Sequence, residues 1–173
     1  TKKYKKVSIS VDIGRIHYQG IRLVSIVGGY LSQAYHSATR CDLLQNGNTW
    51  FVGGGGPMGQ MHVLRALSKS KPPAKVVVTD LDKERLTSLS ARVRALGLPL
   101  PILLSASLDY KTLEKELKRN APLGFSDIVV MAPSGEAVEH SANFLAQEGY
   151  LNVFAGVPEG TIINMPLEKI IMG

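Results

Sequence analysis

Four consecutive glycines at positions 53–56 constrain this chain more than any other feature, because they separate an apolar run from a helical pattern. The apolar run covers residues 49–52, and the helical pattern opens at Pro57. A second strand-like run at residues 74–79, with three consecutive valines, ends at Asp80. Strand, glycine turn, helix, strand and acidic tip, in this order, predict a dinucleotide-binding unit.

The glycine positions of the GxGxxG pattern are filled by Gly54, Gly56 and Gly59. Such glycines make a tight turn, let backbone approach a pyrophosphate, and let helix and strand pack closely. Pro57 is expected in the first turn of the helix, where its missing N–H is no loss, so the helix N-terminus with Met58 faces the anion. The alternative is a flexible glycine loop, which the flanking pattern disfavours.

The spacing behind the turn extends this unit. Residues recurring every three positions predict an apolar helix face against the sheet: Met58, Met61, Leu64 and Leu67. Asp80 follows Gly59 by 21 residues, close to the separation at which a carboxylate accepts a hydrogen bond from the ribose 2′-OH and repels a 2′-phosphate. The sequence therefore favours NAD over NADP, although acidic residues after strands also serve as helix caps.

Composition fits one globular domain and excludes several function classes. The chain has 173 residues, 45% of them apolar and 20% charged, and a single cysteine, which excludes an intramolecular disulfide framework and a multi-cysteine zinc site. No membrane-spanning run or signal-peptide pattern occurs, so we expect a cytoplasmic protein without a membrane partner. The net charge of +6 comes largely from lysines 2, 3, 5 and 6 at one end of the chain, and a solvated tail is favoured over a basic binding patch, so we expect no nucleic-acid partner.

Alternation of strand and helix patterns continues to the C-terminal part of the chain. Beyond Asp80 we expect three further helices. The first carries Leu86, Leu89, Val93 and Leu96, and the second carries Leu113 and Leu117 behind Asp109 as its cap. The third carries Val138, Ala142 and Leu145 and ends near Gly149. Strands are expected at 101–105, 127–131 and 150–155. The pattern predicts an α/β fold with a doubly wound, mostly parallel, Rossmann-like sheet of about six strands and helices on both faces.

Two loops are further candidates for cofactor contact. They follow the fourth and fifth predicted strands, counted from the strand at residues 49–52. Ala132 and Pro133 follow the fourth strand, and Gly156 and Val157 follow the fifth. Ligands of such sheets lie over the carboxyl ends of the strands, and small residues there leave room for a flat ring. Ordinary turns are the competing interpretation.

Residues 1–47 are expected to pack on or close the sheet, with residues 48–173 forming the NAD-binding domain. Residues 7–11 and 16–27 have strand-like patterns, either as a hairpin around Gly14 or as a run broken at Gly20. A helix carrying a buried Cys41 should follow. Residues 21–26 and the run from Gly160 compete for the same edge of the sheet, and we expect residues 21–26 to fill it.

The glycine turn of residues 52–62, the run from Val76 through Arg85 and the loop from Phe154 resemble the cofactor domain of medium-chain, zinc-type alcohol and polyol dehydrogenases. The sorbitol dehydrogenase and sorbose-phosphate reductase branch looks nearest, over about residues 46–168. The resemblance implies hydride transfer between NAD and a polyol, sugar or sugar phosphate. It also implies that Arg85 lies near the adenosine.

This family holds a catalytic zinc with a cysteine, a histidine and an acidic residue from a separate domain, and nothing here matches those ligands. The resemblance therefore implies a fragment of a larger enzyme, inactive alone, with zinc only in the missing domain and its catalytic residues unknown. His17, His36, His62 and His140 are expected to be exposed or hydrogen-bonded rather than ligands. Substrate identity and homo-oligomerisation stay open.

Two other function classes remain at this stage. The same fold serves nucleotide-sensing modules without chemistry. A methyltransferase-like domain that binds S-adenosylmethionine also uses a glycine-rich turn and an acidic second strand tip. Pro57 within the turn and the Gly156 loop favour the dehydrogenase over the methyltransferase.

Overall fold

The computed structural model describes residues 8–23, 32, 40–107 and 109–166. The strands are β1 (Ser8–Asp12), β2 (Asn48–Val52), β3 (Lys75–Asp80), β4 (Ile102–Ser105), β5 (Phe125–Val130), β6 (Leu145–Val153) and β7 (Ile162–Pro166). The helices are α1 (Ile13–Gln19), α2 (Pro57–Leu67), α3 (Lys83–Ala95), α4 (Tyr110–Asn120) and α5 (Gly135–Ala142).

Five strands form one parallel sheet in the order β4-β3-β2-β5-β6. The chain winds outward from β2 to one edge, returns, and then winds to the other edge, so the strand order reverses between β2 and β5. This arrangement confirms the predicted doubly wound α/β fold, although the described residues place five strands, separated by four helices, in the parallel sheet, where about six were expected. The reversal point is where open sheets of this kind bind ligands.

The three central strands β2, β3 and β5 are buried at almost every position, whereas the edge strands β4 and β6 are only partly buried. Trp50, Ile128 and Val130 face one layer of helices, which contains the buried leucines of α4 and the apolar side of α5. Phe51 and Val78 face the other layer, formed by α2 and α3. Adjacent residues of β2 thus serve opposite cores, and two helices cover each face.

The predicted apolar face of α2 was right for Leu64 and Leu67, which pack into the core, and wrong for its two methionines. Met58 and Met61 are 51% and 63% exposed, whereas the buried residues of the helix are Gly59, Gln60, Val63, Ala66 and Leu67. A spacing of three residues drifts around a helix of 3.6 residues per turn, so Met58 and Leu67 lie on opposite sides. Leu96 was also placed wrongly, since it follows α3 and is 61% exposed.

Helix α5 is shorter than predicted, and Leu145 is a strand residue. The helix ends at Ala142, and Leu145 pairs with Phe125 at the start of β6. The register then shifts before Tyr150 pairs with Asp127, and within the shift Glu148 has a φ of 56°. An irregular strand of this kind hides its two-residue period from the sequence.

The N-terminal segment differs most from expectation. The expected second strand begins instead with α1, and residues 21–23 form no strand. The run from Gly160 forms β7, which pairs with β1 in a separate antiparallel ribbon, so the proposal that residues 21–26 close the main sheet was wrong for its described part. Cys41 is exposed and not helical, contrary to prediction; most of the predicted helix before it, with His36, lies outside the described residues.

Candidate functional site

The glycine turn is held against the ends of β2 and β3 by its own backbone. Gly53 has a φ of 72°, and the N–H groups of Gly53 and Gly54 both donate to the carbonyl of Thr79 at 2.8 and 3.0 Å. A Cβ at Gly54 would lie 2.7 Å from Val78. A side chain here would therefore lift the turn off the sheet.

Gly56 and Gly59 are required for different reasons. A Cβ at Gly59 would lie 2.6 Å from three backbone atoms of Gly54, so this glycine lets helix α2 pack against the turn. A Cβ at Gly56 would point into open space, with only the Arg85 Nη1 atom within 4 Å, at 3.8 Å. Its φ of −69° is accessible to any residue. Packing thus accounts for Gly59, while the space above Gly56 is free for a ligand.

Helix α2 presents backbone donors to that space. Gly56 is the N-cap without a side-chain cap, and Pro57 occupies the first turn as predicted. Within the described part of the chain, the N–H groups of Gly56, Met58 and Gly59 have no hydrogen-bond acceptor. Unpaired N–H groups and the positive end of the helix dipole together suit a phosphate.

Asp80 and Arg85 flank the turn on the β3 side. The Asp80 side chain is 5% exposed, and its Oδ2 atom accepts from Gly55 N–H at 2.9 Å while Oδ1 accepts from Asp82 N–H at 3.0 Å. A Cβ at Gly55 would lie 2.9 Å from both the Asp80 Oδ2 and the Arg85 Cβ atoms. The exposed Arg85 pairs with Asp82 at 3.3 Å. Asp80 therefore shapes the glycine turn itself, which sequence reasoning did not foresee.

The loop after β5 adjoins the turn. Met131 N–H donates to the Val52 carbonyl at 2.8 Å, and a Cβ at Gly53 would lie 3.0 Å from the Ala132 Cβ. Pro133 is exposed beside it. The structure thus brings Ala132 to the carboxyl end of β2, while Pro133 lies one residue further out.

The loop after β6 continues this row of strand ends. The N–H groups of Phe154 and Ala155 both donate to the Val130 carbonyl at 3.0 Å. Gly156 is exposed, but the Val157 side chain is 1% exposed and belongs to the core, so only its backbone can face a ligand. A Cβ at Gly156 would lie 2.8 Å from the Tyr18 hydroxyl.

Sequence reasoning missed the aromatic side chains around the loop after β6. Tyr18 reaches Gly156 from α1, and the His17 Nδ1 atom lies 3.2 Å from the Val153 carbonyl. His62 of α2 contacts Phe154 edge to face, with ring centroids 4.5 Å apart. Because Tyr18 and Gly156 lie some 140 residues apart in the sequence, no local pattern predicts their contact.

No group of three potential ligands among the described histidines, cysteines and carboxylates is placed to hold a metal ion. His140 packs against Trp50, Tyr110 and Phe144, and its Nε2 atom is buried without a partner, which the sequence did not suggest. Burial lowers its pKa, although Glu114 and Glu136 oppose the shift. In the described segments, no helix has the length and apolar character needed to cross a membrane.

No family model matches the sequence. The chain is similar to L-sorbose 1-phosphate reductase of Klebsiella pneumoniae, with 31% identity over 121 residues, covering 70% of this chain and 29% of that protein. It is also similar to mannitol-1-phosphate 5-dehydrogenase of Aliivibrio fischeri, with 26% identity over 168 residues, covering 86% and 39%. The chain therefore spans about a third of the length of these relatives.

A solved structure shares the fold. A protein from Sinorhizobium meliloti, described as a zinc-binding dehydrogenase bound to NADP, superposes with a TM-score of 0.56 at 15% identity, covering 79% of this chain and 37% of that one. The sequence similarity is thus to reductases and dehydrogenases. The fold is a Rossmann-like α/β fold.

Proposed function

We propose that this chain binds NAD as the cofactor domain of an oxidoreductase that moves a hydride between the nicotinamide and a polyol, sugar or sugar phosphate. The observation that carries the proposal is the open space above Gly56, lined by unpaired N–H groups at the start of α2. The names of the two relatives, which act on a sorbose phosphate and a mannitol phosphate, support the substrate class.

We expect the dinucleotide to bind in one orientation. The pyrophosphate would lie over Gly56, held by the N–H groups of Met58 and Gly59. The adenosine half would extend over β3 towards Asp80 and Arg85, because the acidic tip of the second strand belongs to that half. The nicotinamide half would then cross the reversal point towards the loops after β5 and β6.

Within this proposal the nicotinamide supplies the hydride chemistry, and the residues of this chain bind and orient it. Ala132 and Gly156 would leave a shallow floor for the ring, since neither carries a bulky side chain. The packing of Ala132 against Gly53 ties that floor to the phosphate turn. A shift of the turn would therefore move both halves of the cofactor site together.

The preference for NAD rests on Asp80. Its carboxylate already accepts two backbone N–H groups, but each carboxylate oxygen has a second lone pair for a ribose hydroxyl. A 2′-phosphate would instead meet a negative charge at this position. A nearby arginine can accommodate a 2′-phosphate, so Arg85 by itself would favour NADP. Here, however, the Arg85 guanidinium pairs with Asp82.

Calorimetric titration of the purified chain with NAD and NADP tests the proposal. We expect NAD to bind more tightly, by about tenfold or more, corresponding to about 1.4 kcal/mol. Equal affinity for the two would refute the role of Asp80. Failure to bind either would refute the cofactor site as a whole.

We also propose that the chain alone does not turn over substrate, because the resemblance places the zinc ligands in a separate domain. An assay of NAD reduction with sorbitol and with hexitol phosphates, with and without added zinc, checks this. Turnover that depends on zinc would contradict it.

A further inference from the structure

Helix α1 is fastened to the loop that follows β6. Asp12 caps α1 and also accepts from Gly160 N–H at 3.0 Å, and Gln19 donates to Glu159 at 3.1 Å. Gly14 is buried so closely against this loop that a Cβ there would lie 2.4 Å from the Pro158 carbonyl oxygen. The helix and the loop therefore hold a fixed position relative to each other.

Tyr18 is the side chain that this arrangement places over the loop. A Cβ at Gly156 would lie 2.8 Å from the Tyr18 hydroxyl, so the ring end approaches the backbone of Gly156 directly. His17 supports the ring edge to face, with centroids 4.8 Å apart, and is itself fixed at the Val153 carbonyl. Tyr18 is nevertheless 66% exposed, and its hydroxyl has no hydrogen-bond partner within the described residues.

The position of Tyr18 relative to the sheet defines what its hydroxyl can reach. The two halves of a dinucleotide lie on either side of the strand-order reversal between β2 and β5. Asp80 marks the adenosine side, so the carboxyl ends of β5 and β6 serve the other half. Gly156 is the third residue after the end of β6, and Tyr18 is therefore at the nicotinamide end.

We propose that Tyr18 is a positioning residue for the nicotinamide half of the cofactor, with its hydroxyl donating a hydrogen bond to the carboxamide. This inference rests on the proposed binding of a nicotinamide dinucleotide. It also explains the glycine at position 156, because any side chain there would displace the hydroxyl. The N-terminal segment thus contributes to the cofactor site, rather than only covering the edge of the sheet.

The test compares NADH with ADP-ribose, which lacks the nicotinamide. The dissociation constant of ADP-ribose divided by that of NADH reports the contribution of the nicotinamide alone. In Tyr18→Phe we expect the NADH affinity to fall by about three- to tenfold, as for one lost hydrogen bond, with ADP-ribose affinity unchanged. Gly156→Ala should lower the same ratio, since its Cβ displaces the hydroxyl.

Tyr110→Phe is the matched control, because Tyr110 is also exposed but its ring contacts His140 and not the loop after β6. Its ratio should equal that of the wild type, and all variants should melt within a few degrees of it. The fluorescence of bound NADH gives a second readout, which should change in Tyr18→Phe and not in Tyr110→Phe.

Each failure has a different meaning. Tight ADP-ribose binding with an unchanged ratio in Tyr18→Phe would overturn the role of Tyr18 and leave the proposed function standing. Equal wild-type affinities for NADH and ADP-ribose would also overturn the role of Tyr18, because the nicotinamide would then contribute nothing to binding. Binding of neither ligand would overturn both proposals.

Discussion

Replacing Gly56 by valine should abolish cofactor binding in a protein that still folds. The backbone at Gly56 has φ −69° and ψ 169°, which valine adopts readily, and its Cβ would enter open space. Valine is a poorer N-cap than glycine by about 0.5–1 kcal/mol, but it also restricts the unfolded chain by a similar amount. The melting temperature should therefore move by less than about 3 °C.

The effect on binding should be much larger. The valine side chain would fill the space in which a pyrophosphate meets the N–H groups of Met58 and Gly59. Losing two charge-assisted hydrogen bonds of about 2 kcal/mol each weakens binding by about 4 kcal/mol, or about a thousandfold in Kd. Calorimetry with NAD measures this directly.

Gly59→Ala is the contrasting variant. Its Cβ would lie 2.6 Å from the backbone of Gly54, so helix α2 must move and the fold should lose about 1–3 kcal/mol. The two glycines thus separate a binding defect from a folding defect. If Gly56→Val melted cooperatively and kept wild-type affinity for NAD, the glycine turn would not be the phosphate site.

Three further predictions follow from single contacts. Asp80→Ala should narrow the difference in affinity between NAD and NADP. It should also lower the free energy of unfolding by about 1–3 kcal/mol, because the N–H groups of Gly55 and Asp82 lose their acceptor. An unchanged free energy of unfolding in chemical denaturation would contradict this. Arg40→Met should lower stability by about 2 kcal/mol, since it leaves the 4% exposed Asp127 without its ion pair, whereas Arg65→Met at an exposed pair should change it by less than about 1 kcal/mol. The lowered pKa of His140 keeps that ring neutral in the folded state while the unfolded state takes up a proton, so the free energy of unfolding falls as the pH drops from about 7 to 5. Paired melting curves should show a smaller loss of stability over that range for His140→Phe than for the wild type.

The parallel core could be predicted from the sequence because its signals are local. Each buried strand is a short apolar run, and each of the helices α3 and α4 begins at an aspartate cap, Asp82 and Asp109. The glycine pattern likewise placed the turn, since Gly59 packs against the backbone of Gly54 within the same motif. Asp80 at the end of β3 could be predicted for the same reason, because it directly follows the strand-like run of residues 74–79.

The remaining features depend on contacts that the sequence does not reveal locally. The face of α2 was misread because methionines at three-residue spacing drift around the helix, and the residues that are buried include the polar Gln60. Leu145 was misplaced because a bulge interrupts β6. The contact between Tyr18 and Gly156 is fixed only when the ribbon of β1 and β7 has formed.

That ribbon bears on the order of folding events. It joins distant parts of the chain, as in the hydrogen bond from Ser10 to Asn164 across 154 positions. Closing so long a loop is entropically unfavourable until the intervening parallel sheet has condensed, so we expect the ribbon to form after the transition state for folding. Substitutions at the buried Ile163 should then accelerate unfolding while leaving the folding rate almost unchanged.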